Sequence, residues 1–235
     1  MNHVKKYGIF LAFVWPQLSM ANKIDVTMHY VGPTEGQVWL GVQQGIKEAN
    51  LQGGFLGQKY QIEVVEPDAL ESTKVETALL LAEDDDYIMK VAQSEQFAST
   101  PVINLISRTD DPDQPAEVMS WHEDFVKFAA SQLNNRFEKN QGEAMTDEAW
   151  AGWAGTKMIA DSVVQTMQYD AKFMLNHLKT DLVFDGQKGD NANFRENGQL
   201  RQILLLVDND NKIVAEAPLR GFKGGLDSLS KVSCK

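Results

Sequence analysis

The residues best suited to chemistry follow two predicted strands. Thr34 comes after the first strand, and Ser107, Arg108 and Thr109 come directly after the apolar segment 102–106. Hydroxyl groups and a guanidinium can hold a small carboxylate or another polar solute by hydrogen bonds, without a covalent step. These four side chains are therefore our candidate ligand-binding residues.

Both candidate loops are expected at one edge of a sheet. In an open parallel sheet, ligands bind beyond the carboxyl ends of the strands, where loops expose backbone N–H groups and helix N-termini. The alternative is that the loops are ordinary connections, in which Arg108 pairs with Asp110 or Asp111.

The sequence lacks the short motifs of the common catalytic and cofactor sites. It has no Gly-x-Ser-x-Gly nucleophile turn, no phosphate-binding loop ending in Gly-Lys-Ser or Gly-Lys-Thr, and no dinucleotide fingerprint after the first strand. We therefore expect a protein that is not an enzyme and that binds no cofactor.

Metal ligation is not expected either. His29, His122 and His177 are too far apart for a local ligand motif, and Asp84–Asp86 is interpreted as a solvated acidic corner. Asp208–Asn211 resembles the start of a calcium loop, but the turn glycine and the terminal glutamate are missing. This segment is interpreted as the tip of a hairpin.

Two further features each have an alternative. Cys234 is the only cysteine, which excludes an internal disulfide and a cysteine-based zinc site but leaves a disulfide between two chains open. Trp150 and Trp153 stand three residues apart among alanines and glycines, which predicts core packing on a helix. The alternative for this pair is a stacking platform for a sugar or a quinone.

The composition is that of an acidic globular chain. Of its 235 residues 43% are hydrophobic, and 33 acidic against 22 basic side chains give a formal charge of −11. This charge leaves no basic face for a run of phosphates or for an anionic membrane surface. We expect no nucleic-acid partner and no insertion into a membrane.

The first 21 residues have the pattern of a secretory signal peptide. Lys5 and Lys6 precede an apolar run over 7–15, and Ser19-Met20-Ala21 supplies the small residues of a cleavage site. The run is far shorter than the ~20 residues that span a bilayer. Cleavage near Ala21 removes two lysines and takes the charge from −11 to −13. A buried strand in a cytosolic protein is the alternative.

Periodicity predicts the elements of the first half. Alternation over 24–30, helical spacing over 38–49 and a strand over 60–65 predict one βαβ unit with two parallel strands. The pair Gly53-Gly54 is expected to end the helix in the left-handed conformation. A short amphipathic helix is expected over 73–82.

The second half is expected to be helical and to end in a hairpin. Helices are predicted along 121–137, from a cap at Thr146-Asp147 to about residue 167, and over 171–178. The strands 203–207 and 213–217 are expected to pair in a hairpin.

The sequence thus predicts an α/β fold with a mostly parallel sheet flanked by helices. After the signal peptide 1–21, one lobe is expected over 22–222, with a βαβ half at 22–110 and a helical and hairpin half at 118–222. The segment 223–235, rich in glycine, serine and lysine, is expected to be a flexible tail.

Several segments resemble type I periplasmic solute-binding proteins, the class that binds leucine, isoleucine and valine. In the first half the resemblance lies in 26–68, including Gly53-Gly54-Phe55-Leu56-Gly57-Gln58. The second half is similar to the substrate-binding component of the ABC transporter system associated with pyrroloquinoline quinone-dependent alcohol dehydrogenases. The segments that carry this narrower resemblance are 132–137, Trp150, 185–189 and Phe194-Arg195-Glu196-Asn197-Gly198-Gln199-Leu200-Arg201-Gln202.

The sequence departs from that family where a second lobe is expected, and the family's usual amide-and-hydroxyl cradle is not recognisable around 86–93. Family members are longer and enclose a ligand between two lobes, whereas here 102–110 resembles the last strand of the first lobe and Trp121 onward already resembles the return to it. We therefore expect a single lobe. Because hinge closure then cannot enclose a ligand, weak binding of a small polar solute is expected.

The resemblance implies a periplasmic component of an ABC transport system that serves quinoprotein alcohol oxidation. It leaves an ABC permease, a periplasmic quinoprotein dehydrogenase and a second copy of the chain open as partners. The alternative function is an accessory protein that has lost solute capture and docks to one of these. That alternative predicts an exposed apolar surface where a second lobe would pack.

Overall fold

The computed structural model describes residues 23–106 and 117–229. Its larger sheet has four parallel strands in the order β2-β1-β3-β4. These strands are β1 (Ile24–Val31), β2 (Gln58–Val64), β3 (Ala78–Leu81) and β4 (Val102–Asn104). The predicted signal peptide and the candidates Ser107, Arg108 and Thr109 lie outside the described residues.

The described residues also form five α-helices. They are α1 (Gly36–Gly53), α2 (Asp85–Gln93), α3 (Ala130–Gln141), α4 (Asp147–Thr166) and α5 (Ala171–Thr180). The sheet buries both of its faces: Met28 and Leu80 belong to a cluster with α1 and α4, and Leu79 and Leu81 to a cluster with α2. The predicted fold class, a mostly parallel sheet flanked by helices, is confirmed.

The first βαβ unit forms as predicted. β1 alternates buried and less buried side chains at its start, and β1 and β2 pair in parallel from Ile24 opposite Gln58 to Tyr30 opposite Val64. α1 crosses between the two strands, which is the connection that parallel neighbours require.

The helix expected over 73–82 is wrong, because Ala78–Leu81 is strand β3. All four residues of β3 are buried, and the strand lies between β1 and β4. A strand covered on both faces is a continuous apolar run, and helical periodicity cannot be told apart from such a run over so short a segment.

The end of α1 also differs from the expectation. Gly53 and Gly54 keep right-handed backbone angles, and the chain continues through one 3-10 turn to Gly57, whose φ is +72°. Gly53 is required for another reason: a Cβ there would lie 2.7 Å from the ring of Tyr60.

The long helix expected along 121–137 begins only at Ala130. Trp121 and Phe125 are buried in an irregular segment that Asn134 holds in place: the Trp121 indole donates to Asn134 Oδ1, and Asn134 Nδ2 donates to the Glu123 carbonyl. Phe128, with φ of +56°, cannot continue a helix. The apolar spacing at Trp121 and Phe125 therefore reflects burial in a segment that is not helical.

The predicted helix from Thr146-Asp147 is confirmed. The Thr146 hydroxyl accepts the Ala149 N–H at 3.3 Å, as an N-cap residue does. Glycines bring α4 unusually close to α1, since a Cβ on Gly41 would lie 1.9 Å from the Ala149 carbonyl oxygen and one on Gly152 would lie 2.2 Å from that of Val38. Small residues of α4 thus permit a close helix–helix contact.

The remaining strands are antiparallel. A three-stranded sheet has the order β5-β8-β9, and β6 pairs with β7. These strands are β5 (Glu117–Met119), β6 (Asn193–Phe194), β7 (Leu200–Arg201), β8 (Leu204–Val207) and β9 (Ile213–Ala217). The predicted hairpin around Asp208–Asn211 is confirmed. Within the predicted tail, residues 225–229 form a 3-10 turn.

Candidate functional site

The site expected from topology lies between β1 and β3. The chain leaves β1 toward β2 on one side, and it later returns to place β3 on the other side. This reversal of direction opens a crevice at the carboxyl ends of the two strands, which is where open α/β sheets bind ligands. The walls of this crevice are the loop after β1 and the loop after β3.

Gly32 brings these two loops together. Its φ is +148°, and a Cβ would lie 2.7 Å from the Ala82 Cβ and 2.8 Å from the Ala82 carbonyl oxygen. A larger residue would push the loop away from the end of β3. The glycine therefore sets the width of the crevice.

The crevice contains a cavity of about 330 Å³, close to the lower end of the range for small-molecule sites. Its lining includes Tyr30, Glu35, Gln37, Ala82, Ile106 and Glu148. No lysine or arginine among the described residues lines it. Glu35 and Glu148 are therefore the charged side chains in a lining that is otherwise mostly apolar.

Tyr30 forms the floor of the cavity and acts as a hydrogen-bond donor. Its hydroxyl donates to the Pro33 carbonyl at 2.8 Å, and its ring packs 5.1 Å from that of Trp39. Burial, with a smaller contribution from Glu83, raises the pKa of Tyr30 to about 12. The phenol is therefore neutral at physiological pH and is not a base.

Gln37, in the first turn of α1, links this helix to the start of α4. Its Nε2 donates to Glu143 Oε2 at 2.7 Å, and its Oε1 accepts from the Thr146 hydroxyl at 3.4 Å. These bonds hold the N-terminal ends of α1 and α4 side by side. Glu148, in the first turn of α4, thereby faces the same cavity as Glu35.

Of the candidate residues from sequence, Thr34 lies in the loop after β1, but its side chain is exposed and does not line the cavity. Ser107, Arg108 and Thr109 lie outside the described residues, although Ile106, which directly precedes them, lines the cavity. Sequence reasoning missed Glu35, Gln37 and Glu148. The first two lie in or next to the loop that sequence reasoning selected, so a complete survey of that loop would have included them.

The tryptophan pair is part of the core. Trp150 and Trp153 are each 2% exposed. The ring of Trp150 stacks on that of Trp121 at 6.0 Å, and the Trp153 indole donates to Glu48 Oε2 at 2.9 Å. Core packing, the first interpretation, is confirmed for both.

A buried lysine lies beside these rings. The Lys188 ammonium donates to the Ser120 carbonyl at 2.7 Å, to Gln202 Oε1 at 2.5 Å and to the Ile203 carbonyl at 2.8 Å. Burial lowers the pKa of Lys188 to about 7, while the nearby Asp147 acts in the opposite direction. Three acceptors match the three N–H donors of the ammonium form, so the network holds a protonated lysine best.

The other predicted features have structural roles. Asp208 Oδ1 accepts the N–H groups of Asp210 and Lys212 at 3.0 Å each, which forms the hairpin tip. His122 Nε2 lies 3.1 Å from Asn211 Oδ1 at the same tip. In the described ranges no three histidine, cysteine, aspartate or glutamate side chains are grouped as a metal site, and no helix there is long and apolar enough to cross a membrane.

Comparison with known proteins gives structural likenesses alone. No family model and no curated protein matches the sequence. A branched-chain amino acid ABC transporter ligand-binding protein from Burkholderia xenovorans aligns with 14% identity and a TM-score of 0.38, over 83% of this chain and 59% of that one. An ABC transporter substrate-binding protein from Sphaerobacter thermophilus aligns with 14% identity and a TM-score of 0.37, over 85% of this chain and 62% of that one.

A leucine-binding protein from Thermotoga maritima is similar to the same extent, with 13% identity and a TM-score of 0.36 over 81% of this chain and 60% of that one. The chain thus spans about three fifths of the length of the solved structures that it resembles. The chain passes from β4 to β5 through residues 105–116 alone, too short a stretch for a second α/β lobe.

Proposed function

We propose that the protein binds a small amine-bearing solute, of the amino acid class, non-covalently in the cavity between β1 and β3. The observation that carries this proposal is the presence of two carboxyl side chains, without a lysine or arginine among the described lining residues, in the cavity where the strand order reverses. Glu35 and Glu148 would attract an ammonium group, because charge-assisted hydrogen bonds are the stronger ones in a partly desolvated site. The proteins that the fold resembles are described as branched-chain amino acid and leucine binders.

The carboxylate of such a solute requires donors. Thr34, Ser107, Arg108 and Thr109 remain the proposed contacts for it, since they follow the carboxyl ends of β1 and β4. The described residues form no second lobe over this edge, so binding is expected to be weak. We expect an open site of this kind to release its solute rapidly.

Three probes separate the parts of the proposal. Leucine carries both charged groups, isoamylamine carries the amine alone, and 4-methylpentanoate carries the carboxylate alone. Isothermal titration calorimetry with the purified protein is expected to detect leucine and isoamylamine. Binding of 4-methylpentanoate alone would overturn the assignment of the cavity to an amine.

Variants test the named residues. Glu35→Gln and Glu148→Gln are each expected to weaken leucine binding about fivefold or more, whereas Glu138→Gln on the exposed side of α3 leaves it unchanged. Arg108→Ala combined with Thr109→Ala is expected to weaken leucine and spare isoamylamine. If this double variant weakens the binding of leucine and of isoamylamine equally, the carboxylate contact lies elsewhere.

The wider role that we propose is that of a periplasmic component of an ABC transport system linked to quinoprotein alcohol oxidation. Its support is the resemblance of 194–202 and the signal-peptide pattern of 1–21. Cell fractionation tests the location, and permease and quinoprotein genes beside this gene would support the pathway. A cytosolic protein among unrelated genes would contradict this wider role without affecting the binding test.

A second candidate function is docking to another copy of the chain. Val126, Val214 and Leu219 are exposed by 66%, 56% and 65% around one groove beside β9. Asp124 and Arg220 line the same groove, so a two-fold axis could pair opposite charges. Sedimentation should then show a dimer that Leu219→Glu dissociates. Leu51→Glu, at a position that is also 65% exposed but does not line this groove, should leave the dimer intact.

A further inference from the structure

β4 is an edge strand whose outer side has no partner among the described residues. Leu79 donates to the Pro101 carbonyl and Leu105 donates to that of Leu81. With the parallel register of Leu80 opposite Ile103, these bonds turn the N–H and C=O groups of Val102 and Asn104 away from β3. Four backbone hydrogen-bonding groups therefore face outward.

The opposite edge of the sheet is protected. On β2, the outward N–H of Tyr60 donates to Asn50 Oδ1 at 2.9 Å, and the Tyr60 carbonyl accepts from Asn50 Nδ2 at 2.8 Å. The side-chain amide of Asn50 thus takes the place of a neighbouring strand. Covering an edge in this way prevents unwanted pairing, and no residue in the described ranges covers β4 in the same way.

A groove runs along the open side of β4. Two cavities of about 430 Å³ and 310 Å³ share Val102, Ile103, Phe194 and Gly198 in their linings, so they adjoin each other along the strand. The hairpin of β6 and β7 forms the facing wall. The lining of the larger cavity is mixed: it includes the apolar side chains of Trp150, Met158 and Leu200 and the polar ones of Ser120, Gln199 and Gln202.

Charges differ between the two ends of the groove. Asp85 lies at the carboxyl end of β4. Lys179 and Arg195 lie at the amino end, together with Glu196. Arg195 is bound to the Leu226 carbonyl through Nη2, but its buried Nε and Nη1 atoms have no hydrogen-bond partner among the described residues.

We propose that this groove binds an extended peptide, which adds to β4 as an antiparallel strand. Its backbone would pair with Val102 and Asn104, and a large apolar side chain would occupy the larger cavity. Its carboxylate would lie near Lys179 and Arg195, and its ammonium or a basic side chain near Asp85. Main-chain hydrogen bonds supply affinity in strand addition, and the side-chain cavities supply specificity.

This groove and the proposed solute cavity share Ile106 alone among their lining residues, so the two sites are tested separately. The probe is the pentapeptide KVFVE with free termini. Calorimetry is expected to show binding, and hydrogen exchange of the Val102 and Asn104 amides is expected to slow about tenfold in the complex. A peptide of the same sequence with alternate amides N-methylated is expected not to bind. KVFVE with an amidated C-terminus shows which carboxylate the cations hold. Weaker binding of the amidated peptide assigns the terminal carboxylate, and unchanged binding assigns the glutamate side chain.

Two pairs of variants complete the test. Val102→Pro removes the outward N–H while leaving the bonds to β3, and it is expected to abolish binding, whereas Val102→Thr preserves it. Lys179→Glu is expected to weaken KVFVE about fivefold, whereas Lys172→Glu, exposed on the same helix, has no effect. If unmodified and N-methylated peptides bind equally, or if the two amides are already protected because a second copy pairs with β4, the proposal is wrong.

Discussion

The ammonium group of Lys188 lies 4.2 Å from the centroid of the Trp150 ring, and the lysine is 2% exposed. A buried cation is tolerated only where hydrogen bonds replace its hydration. Here three acceptors and the face of the indole perform that role. The network joins the segment after β5 to the segment before β8, which are distant in sequence.

Replacing Lys188 by methionine is expected to lower the free energy of unfolding by about 2 to 3 kcal/mol. The reason is that three buried oxygen acceptors lose their donor while the side-chain volume is nearly kept. Urea unfolding measures the change. Lys172→Met, on an exposed position of α5, is the control and should change stability by less than about 0.5 kcal/mol. Equal stability of the two variants would mean that the network contributes nothing.

Asp147 is expected to make stability fall between about pH 4 and pH 6. Burial raises the pKa of Asp147 to about 6, against backbone hydrogen bonds from Trp121 and Ser120 that lower it. A carboxyl whose pKa is higher in the folded state stabilises the fold below the unfolded pKa, and this contribution is lost as the pH rises through the folded value. Asp147→Asn, which keeps an acceptor for the Trp121 N–H, should remove that fall.

The measurement is the free energy of unfolding of both proteins from pH 4 to pH 7. The difference between wild type and Asp147→Asn should change by up to about 3 kcal/mol over this range. Parallel curves would show that Asp147 titrates alike in the folded and unfolded chains.

Glu48 predicts the opposite dependence. Burial alone would raise its pKa, but hydrogen bonds from Trp153, Arg136 and Gln44 outweigh burial and lower it. The carboxylate therefore stabilises the fold above its unfolded pKa, and this stabilisation is lost as the pH falls.

Glu48→Gln should cost about 1 to 2 kcal/mol at pH 7, with a smaller cost near pH 3. Glu138→Gln, an exposed change on α3, is the matched control. A cost for Glu48→Gln that is independent of pH would point to lost packing instead of lost charge.

The contact between α1 and α4 depends on the absence of side chains. Gly41→Ala and Gly152→Ala should each lower the free energy of unfolding by at least about 2 kcal/mol, because each new methyl group meets a carbonyl oxygen of the facing helix. Gly54→Ala adds the same methyl group where nothing lies within 4 Å and φ is −56°. That control is expected to be neutral or slightly stabilising. Similar losses for all three variants would exclude the close helix contact as their cause.

Local sequence determined much of this architecture. The alternation of β1, the helical spacing of α1, the cap at Thr146 and the turn residues of Asp208–Asn211 each act over a few neighbouring residues, and each led to a confirmed element. The loop after β1, which was selected from the sequence, adjoins the cavity at the carboxyl ends of β1 and β3.

Tertiary structure decided the features that depend on contacts with distant parts of the chain. Ala78–Leu81 became a strand because β1 and β4 flank it, and Trp121 and Phe125 are buried without a helix because Asn134 holds their segment. Glu35 and Glu148 line the same cavity where Gln37 joins the start of α1 to the start of α4, and Lys188 is buried where distant carbonyls accept its hydrogen bonds. Such contacts join residues that are far apart in the chain, so no spacing in the sequence reveals them.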